Sequence, residues 1–180
     1  MTLRPKRRRL TVIAEARVRE RYSCSQSVFS ALAERWNVDP TVSLRIAAGF
    51  GGGLARSART CGCVTGAIMA IGLAQCGISP EENRSEREKT YEASRRLMRA
   101  FQERNGSTLC LELLGCDIST AEGLAEARQK GLFQSRCTKL VRDAVEIVQG
   151  MLAGAHGPDG GCVVDTATGS VTTARERAPR

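Results

Sequence analysis

Eight cysteines in a chain of 180 residues carry most of its chemical potential. Cys61 and Cys63 stand in Thr60-Cys61-Gly62-Cys63, which closes a stretch opened by Gly49-Phe50-Gly51-Gly52-Gly53 and leads into the apolar run Val64-Thr65-Gly66-Ala67. Cys24, Cys61, Cys110 and Cys137 all fall where the pattern predicts the first turn of a helix. There, unpaired backbone N–H groups and the positive end of the helix dipole favour an anionic sulfur. Arg56 and Arg59 would add to that effect at Cys61. Thiolates gathered from separate helices can ligate an iron–sulfur cluster, exchange disulfides or hold zinc. The Cys61-Gly62-Cys63 pair by itself matches neither the C-x₂-C spacing of zinc ribbons nor the C-x₂-C-x₂-C run of bacterial ferredoxins.

Other chemistry has little to build on. His156 is the only histidine and sits in the C-terminal tail, which argues against histidine catalysis and against a bis-histidine haem from this chain. The glycines at 49–53 fit neither G-x-x-x-x-G-K-[ST] nor the G-x-G-x-x-G fingerprint after a strand; they fit positive φ or close helix approach. Glu81, Glu82, Glu86 and Glu88 read as a solvated helix face. Cys76 and Cys116 follow helices and read as structural, and Cys162 falls in the tail.

The elements that must position these sulfurs are helical. Apolar spacing predicts helices over about 13–22, 23–36, 41–48, 64–75, 81–104, a short one carrying Cys110, Leu113 and Leu114, then 120–130 and 135–152. No alternating strand pattern occurs. The expected fold is all-α, a single compact domain of six or seven helices over 10–153. A disordered basic arm is expected over 1–9 and a loose tail over 154–180.

The net charge of +8 is concentrated at the ends: residues 1–10 carry +5 and residues 171–180 carry +2, leaving +1 for the rest. Such a distribution argues against nucleic acid as the main partner. The apolar stretch after Arg7-Arg8-Arg9 is broken by Glu15 and Arg17, too early for an export signal, and no run spans a membrane. The expected setting is therefore cytoplasmic, where thiols stay reduced and cysteines serve catalysis, redox or metal binding.

The ordered stretches Tyr22-Ser23-Cys24-Ser25-Gln26, Gly49 to Gly53 leading to Cys61-Gly62-Cys63-Val64-Thr65-Gly66-Ala67, Gly106 to Cys110, and Cys137 resemble the family of redox-active proteins named for its C_GCAxxG_C_C cysteine pattern. That family is similar to a domain of the split-Soret cytochromes. The resemblance implies four key cysteines, Cys24, Cys61, Cys110 and Cys137. Cys63 departs from it, since the family motif has alanine there.

The leading expectation is a small redox protein in which those four cysteines ligate an iron–sulfur cluster and pass electrons to a partner protein. The alternative is metal-free thiol–disulfide exchange, with Cys61 as nucleophile and Cys63 or Cys24 resolving. A third reading is a zinc-stabilised helical interaction module. A homodimer could supply ligands across a two-fold axis.

Overall fold

A computed structural model of the chain describes residues 4–75, 80–155, 163–164 and 171–172. The fold is all-α. Among the described residues eight α-helices, more than the six or seven expected, run α1 Arg4–Arg19, α2 Cys24–Ala33, α3 Pro40–Ala47, α4 Gly62–Ala74, α5 Pro80–Asn105, α6 Cys110–Leu114, α7 Ala121–Gln129 and α8 Leu132–Ala155. Short 3₁₀ turns follow α2 and α3, and Val163–Val164 pairs antiparallel with Val171–Thr172. Cys76, His156 and Cys162 lie outside the described residues.

The helix starts follow local chemistry. Ser23 caps α2 in a capping box: its Oγ accepts from Gln26 N, and Ser23 N donates to Gln26 Oε1 at 3.0 Å. Asp39 caps α3, with Pro40 opening the helix. Thr120 Oγ1 accepts from Gly123 N at 3.0 Å and caps α7. α6 is short because Gly115 turns left-handed at φ 72° directly after it.

Two boundaries differ from the sequence expectation. α1 begins at Arg4, inside the segment read as a disordered arm, because arginine and lysine are good helix formers even where their charge reads as solvation. α8 begins at Leu132 and not at Ser135. Gly131 sits at φ 62° and its carbonyl accepts from Gln134 N and Ser135 N, which starts the helix immediately after it.

The apolar side chains form two clusters. The larger holds Val28, Leu32, Val64, Ile71, Leu97, Phe101, Val141 and Val145 among others, from α1, α2, α4, α5 and α8. The smaller gathers Leu114, Ile118, Ala127 and neighbours around α6, α7 and the start of α8. The cysteines lie along the seam between them. Cys61 and Cys63 belong to the larger cluster, Cys110, Cys116 and Cys137 to the smaller, and Cys24 packs against both. No helix among the described residues is long and apolar enough to cross a membrane.

Candidate functional site

Close packing of α2 on α4 brings the first sulfurs together. A Cβ built on Gly62 would lie 3.2 Å from the Cys24 Cβ, and one on Gly66 would lie 2.7 Å from the Ser25 carbonyl oxygen. Only glycine leaves room for the two backbones at that separation. Ser25 Oγ, fully buried, donates to Ala47 O at 2.8 Å and fixes the same turn of α2 against the end of α3.

Cys61 and Cys110 are joined by backbone pairing. Cys61 N donates to Thr108 O at 2.8 Å and Cys110 N donates to Arg59 O at 2.7 Å, across an antiparallel bridge between Thr60 and Leu109. Cys61 is the N-cap of α4, Cys110 the first residue of α6, and Cys24 the first residue of α2. Cys137 is the exception: it lies in the second turn of α8, because that helix begins earlier than its sequence pattern predicts.

The glycine loop has an unusual backbone. Gly52, Gly53, Leu54, Ala55 and Arg56 all have φ between 47° and 72°, and Ala58 follows at 57°. A left-handed conformation costs about 1–2 kcal/mol for each residue bearing a Cβ. Backbone bonds from Ala55 N to Gly49 O and from Arg59 N to Gly53 O hold the run in place. Gly51 lets the loop touch Ser23, whose Cβ would lie 2.5 Å from a Cβ at 51.

All six described cysteines are free thiols. Cys24 is in hydrogen-bond contact with Cys137 and Cys63, and Cys63 in turn with Cys61. Contacts from the Cys137 thiol and then the Cys63 thiol favour the anionic form of Cys24 and lower it well below the usual thiol range, against the opposing effect of burial. Burial and its contacts with Cys24 and Cys61 push Cys63 far up. Cys137 is also raised, first by its bond to Cys24. Burial pushes Cys110 up to about 12, with Cys61, Cys24 and Cys116 adding to the rise through their charges. The structure therefore brings together Cys24, Cys61, Cys63, Cys110 and Cys137, and places Cys116 beside Cys110.

This cluster meets a cleft of about 760 Å³ lined by Cys24, Cys110 and Cys137. Cys61 and Cys63 do not line it; Cys63 is fully buried and Cys61 is 3% exposed. Arg56 lines the cleft and Arg59 does not; Arg59 lies near Asp117, whose carboxyl is held below its usual range first by hydrogen bonds from Ser119, with Arg59 adding a smaller effect. Arg21 and Arg128, which no sequence pattern marks, line the cleft as well.

The family model described as "Putative redox-active protein (C_GCAxxG_C_C)" matches residues 22–151. The chain belongs to this family. The span matched in this C_GCAxxG_C_C protein contains Cys24, Cys61, Cys110 and Cys137, and also Cys63, Cys76 and Cys116. An uncharacterized protein of Archaeoglobus fulgidus is 30% identical over 148 residues, covering 79% of this chain and 89% of that protein. No solved structure matches this C_GCAxxG_C_C protein.

Proposed function

We propose that the chain is an electron-transfer protein in which Cys24, Cys61, Cys110 and Cys137 hold an iron–sulfur cluster. The observation that carries this reading is their mutual approach at the seam of the core, although they come from four helix-linked positions far apart in sequence. The donor set fits such a group. It is all sulfur, with no imidazole among the described residues to compete, and thiolates are the ligands these clusters take. Among the described residues no three of the cysteine or carboxylate side chains are arranged to hold a single metal ion.

A bound cluster would supply a one-electron carrier. The chain's own part is to bring the sulfurs together, to stabilise negative charge with the starts of α2 and α4, and to exclude water. Cys61, Cys63, Cys110 and Cys137 are all buried. Half-buried Cys24 is the ligand nearest the solvent.

A second reading is supported by one specific observation, the direct contact of Cys24 with Cys137 and Cys63. In metal-free protein a Cys24 thiolate could attack a disulfide, releasing one thiol, and Cys137 or Cys63 would displace the second to leave an internal disulfide. This moves the nucleophile from Cys61 to Cys24.

Anaerobic reconstitution separates the two. The expected result is a coloured protein with stoichiometric iron and acid-labile sulfide, lost in Cys24→Ser, Cys61→Ser, Cys110→Ser and Cys137→Ser and kept in Cys63→Ala. A colourless protein without iron after reconstitution would sink the cluster reading and leave thiol exchange. Loss of iron in Cys63→Ala would make Cys63 a ligand.

A further inference from the structure

We propose that the cleft beside the sulfurs binds an amphiphilic anion, a small molecule with an apolar body carrying one or more acid groups. Leu114, Ile118 and Phe133 contribute apolar surface to the cleft, and Arg21, Arg56 and Arg128 contribute positive charge. Among the described residues no aspartate or glutamate lines it. Three cations with no carboxylate therefore face one space, in a chain that carries only +1 outside its terminal segments.

The arginines are also free to bind. Among the described residues the ion pairs engage Arg9, Arg17, Arg104 and Arg142, and none engages Arg21, Arg56 or Arg128. A cation set without a partner is available to an incoming anion, and guanidinium groups take carboxylate and phosphate in bidentate geometry.

Backbone strain points to the same place. Arg56 is the last of the five consecutive left-handed residues, and Arg21 is itself left-handed at φ 69°. Strain of this kind concentrates where a site needs it. Here it sets two of the three arginines at the cleft. The volume, about 760 Å³, lies within the roughly 300–1,000 Å³ range of small-molecule sites. Because Cys24, Cys110 and Cys137 line the same space, the bound anion would lie against the sulfurs. The inference stands on the cleft and its arginines, whatever the sulfurs hold.

Calorimetric titration of the full chain with naphthalene-2,6-dicarboxylate, 2-naphthyl phosphate and uncharged 2-naphthol tests it. At least one of the anions is expected to bind at least about tenfold more tightly than 2-naphthol, through charge-assisted hydrogen bonds from the arginines. The tighter of the two names the acid group. Arg21→Gln and Arg128→Gln should each weaken that binding by about tenfold or more, while Arg99→Gln, on the exposed face of α5, should leave it unchanged. Bound anion should also slow alkylation of Cys24 by neutral iodoacetamide. Equal binding of 2-naphthol, equal weakening by Arg99→Gln, or binding without protection of Cys24 would each overturn the proposal.

Discussion

Gly66→Ala is expected to destabilise the protein by about 1–3 kcal/mol, the usual cost of forcing extra volume into a packed interface. The added methyl would lie 2.7 Å from the Ser25 carbonyl oxygen and 3.1 Å from its Cα. Those are backbone atoms of a neighbouring helix, so the contact is relieved only by moving α2 away from α4. Intrinsic helix preference works in the opposite direction, since alanine is favoured over glycine by about 1 kcal/mol in a helix interior. A net loss of stability in urea titration would therefore isolate the steric effect. Gly72→Ala supplies the control on the same helix. Nothing lies within 4 Å of a Cβ at that exposed position, so it is expected to be neutral or stabilising by up to about 1 kcal/mol. If the two substitutions behave alike, the glycine contact is not what sets the separation of the helices. The displacement would also carry Cys24 away from Cys63, so the 66 variant should lose iron binding on reconstitution where the 72 variant keeps it.

In reduced, metal-free protein Cys24 is expected to be the fastest-alkylating thiol, ahead of Cys110 by at least about tenfold near neutral pH. The sign follows from its neighbours. Hydrogen bonds from Cys137 and Cys63 stabilise the Cys24 anion, so its pKa is depressed and the reactive form persists as pH falls. The rate profile against pH should thus turn over below the ordinary thiol value of about 8.5. Cys110, pushed up to about 12 mainly by burial, should stay protonated and slow over the same range. Cys137→Ala removes the largest cause of the depression, so the Cys24 profile should move to higher pH. Mass spectrometry of iodoacetamide-labelled peptides between about pH 6 and 9 reads both effects. A Cys24 rate equal to that of a free thiol, unchanged by Cys137→Ala, would show that these contacts do not exist in solution.

Much of the helical frame was legible because its signals are local. The Ser23–Gln26 box, the Asp39-Pro40 pair and the apolar face of α8 each act over one or two turns of chain. The set of sulfurs was legible for the same reason, as repeated cysteines near helix starts. Their connections were not. That Cys63 bridges Cys24 and Cys61 depends on how closely α2 and α4 approach, a tertiary quantity that Gly62 and Gly66 permit and do not announce. Gly52 and Gly53 take the positive φ their type suggested, but the continuation of the run was hidden, because Leu54, Ala55 and Arg56 have no preference for positive φ; bonds to Gly49 and Gly51 hold Ala55 and Arg56 there. Arg21, in the turn after α1, and Arg128, in α7, meet at one cleft only in the tertiary fold, and nothing in the spacing of either residue marks it.

The seam that holds the sulfurs also sets a timetable. α1 packs against α8, where Arg142 bonds to Glu15, so the larger cluster closes only when the last helix joins the first. Cys137 arrives on that same helix. During synthesis the N-terminal helices emerge with Cys24, Cys61 and Cys63 already present, yet with Cys137 and much of the covering core still unmade. A nascent chain thus exposes thiols that the finished protein buries. The enclosed setting of these sulfurs is therefore complete only once α8 has joined α1.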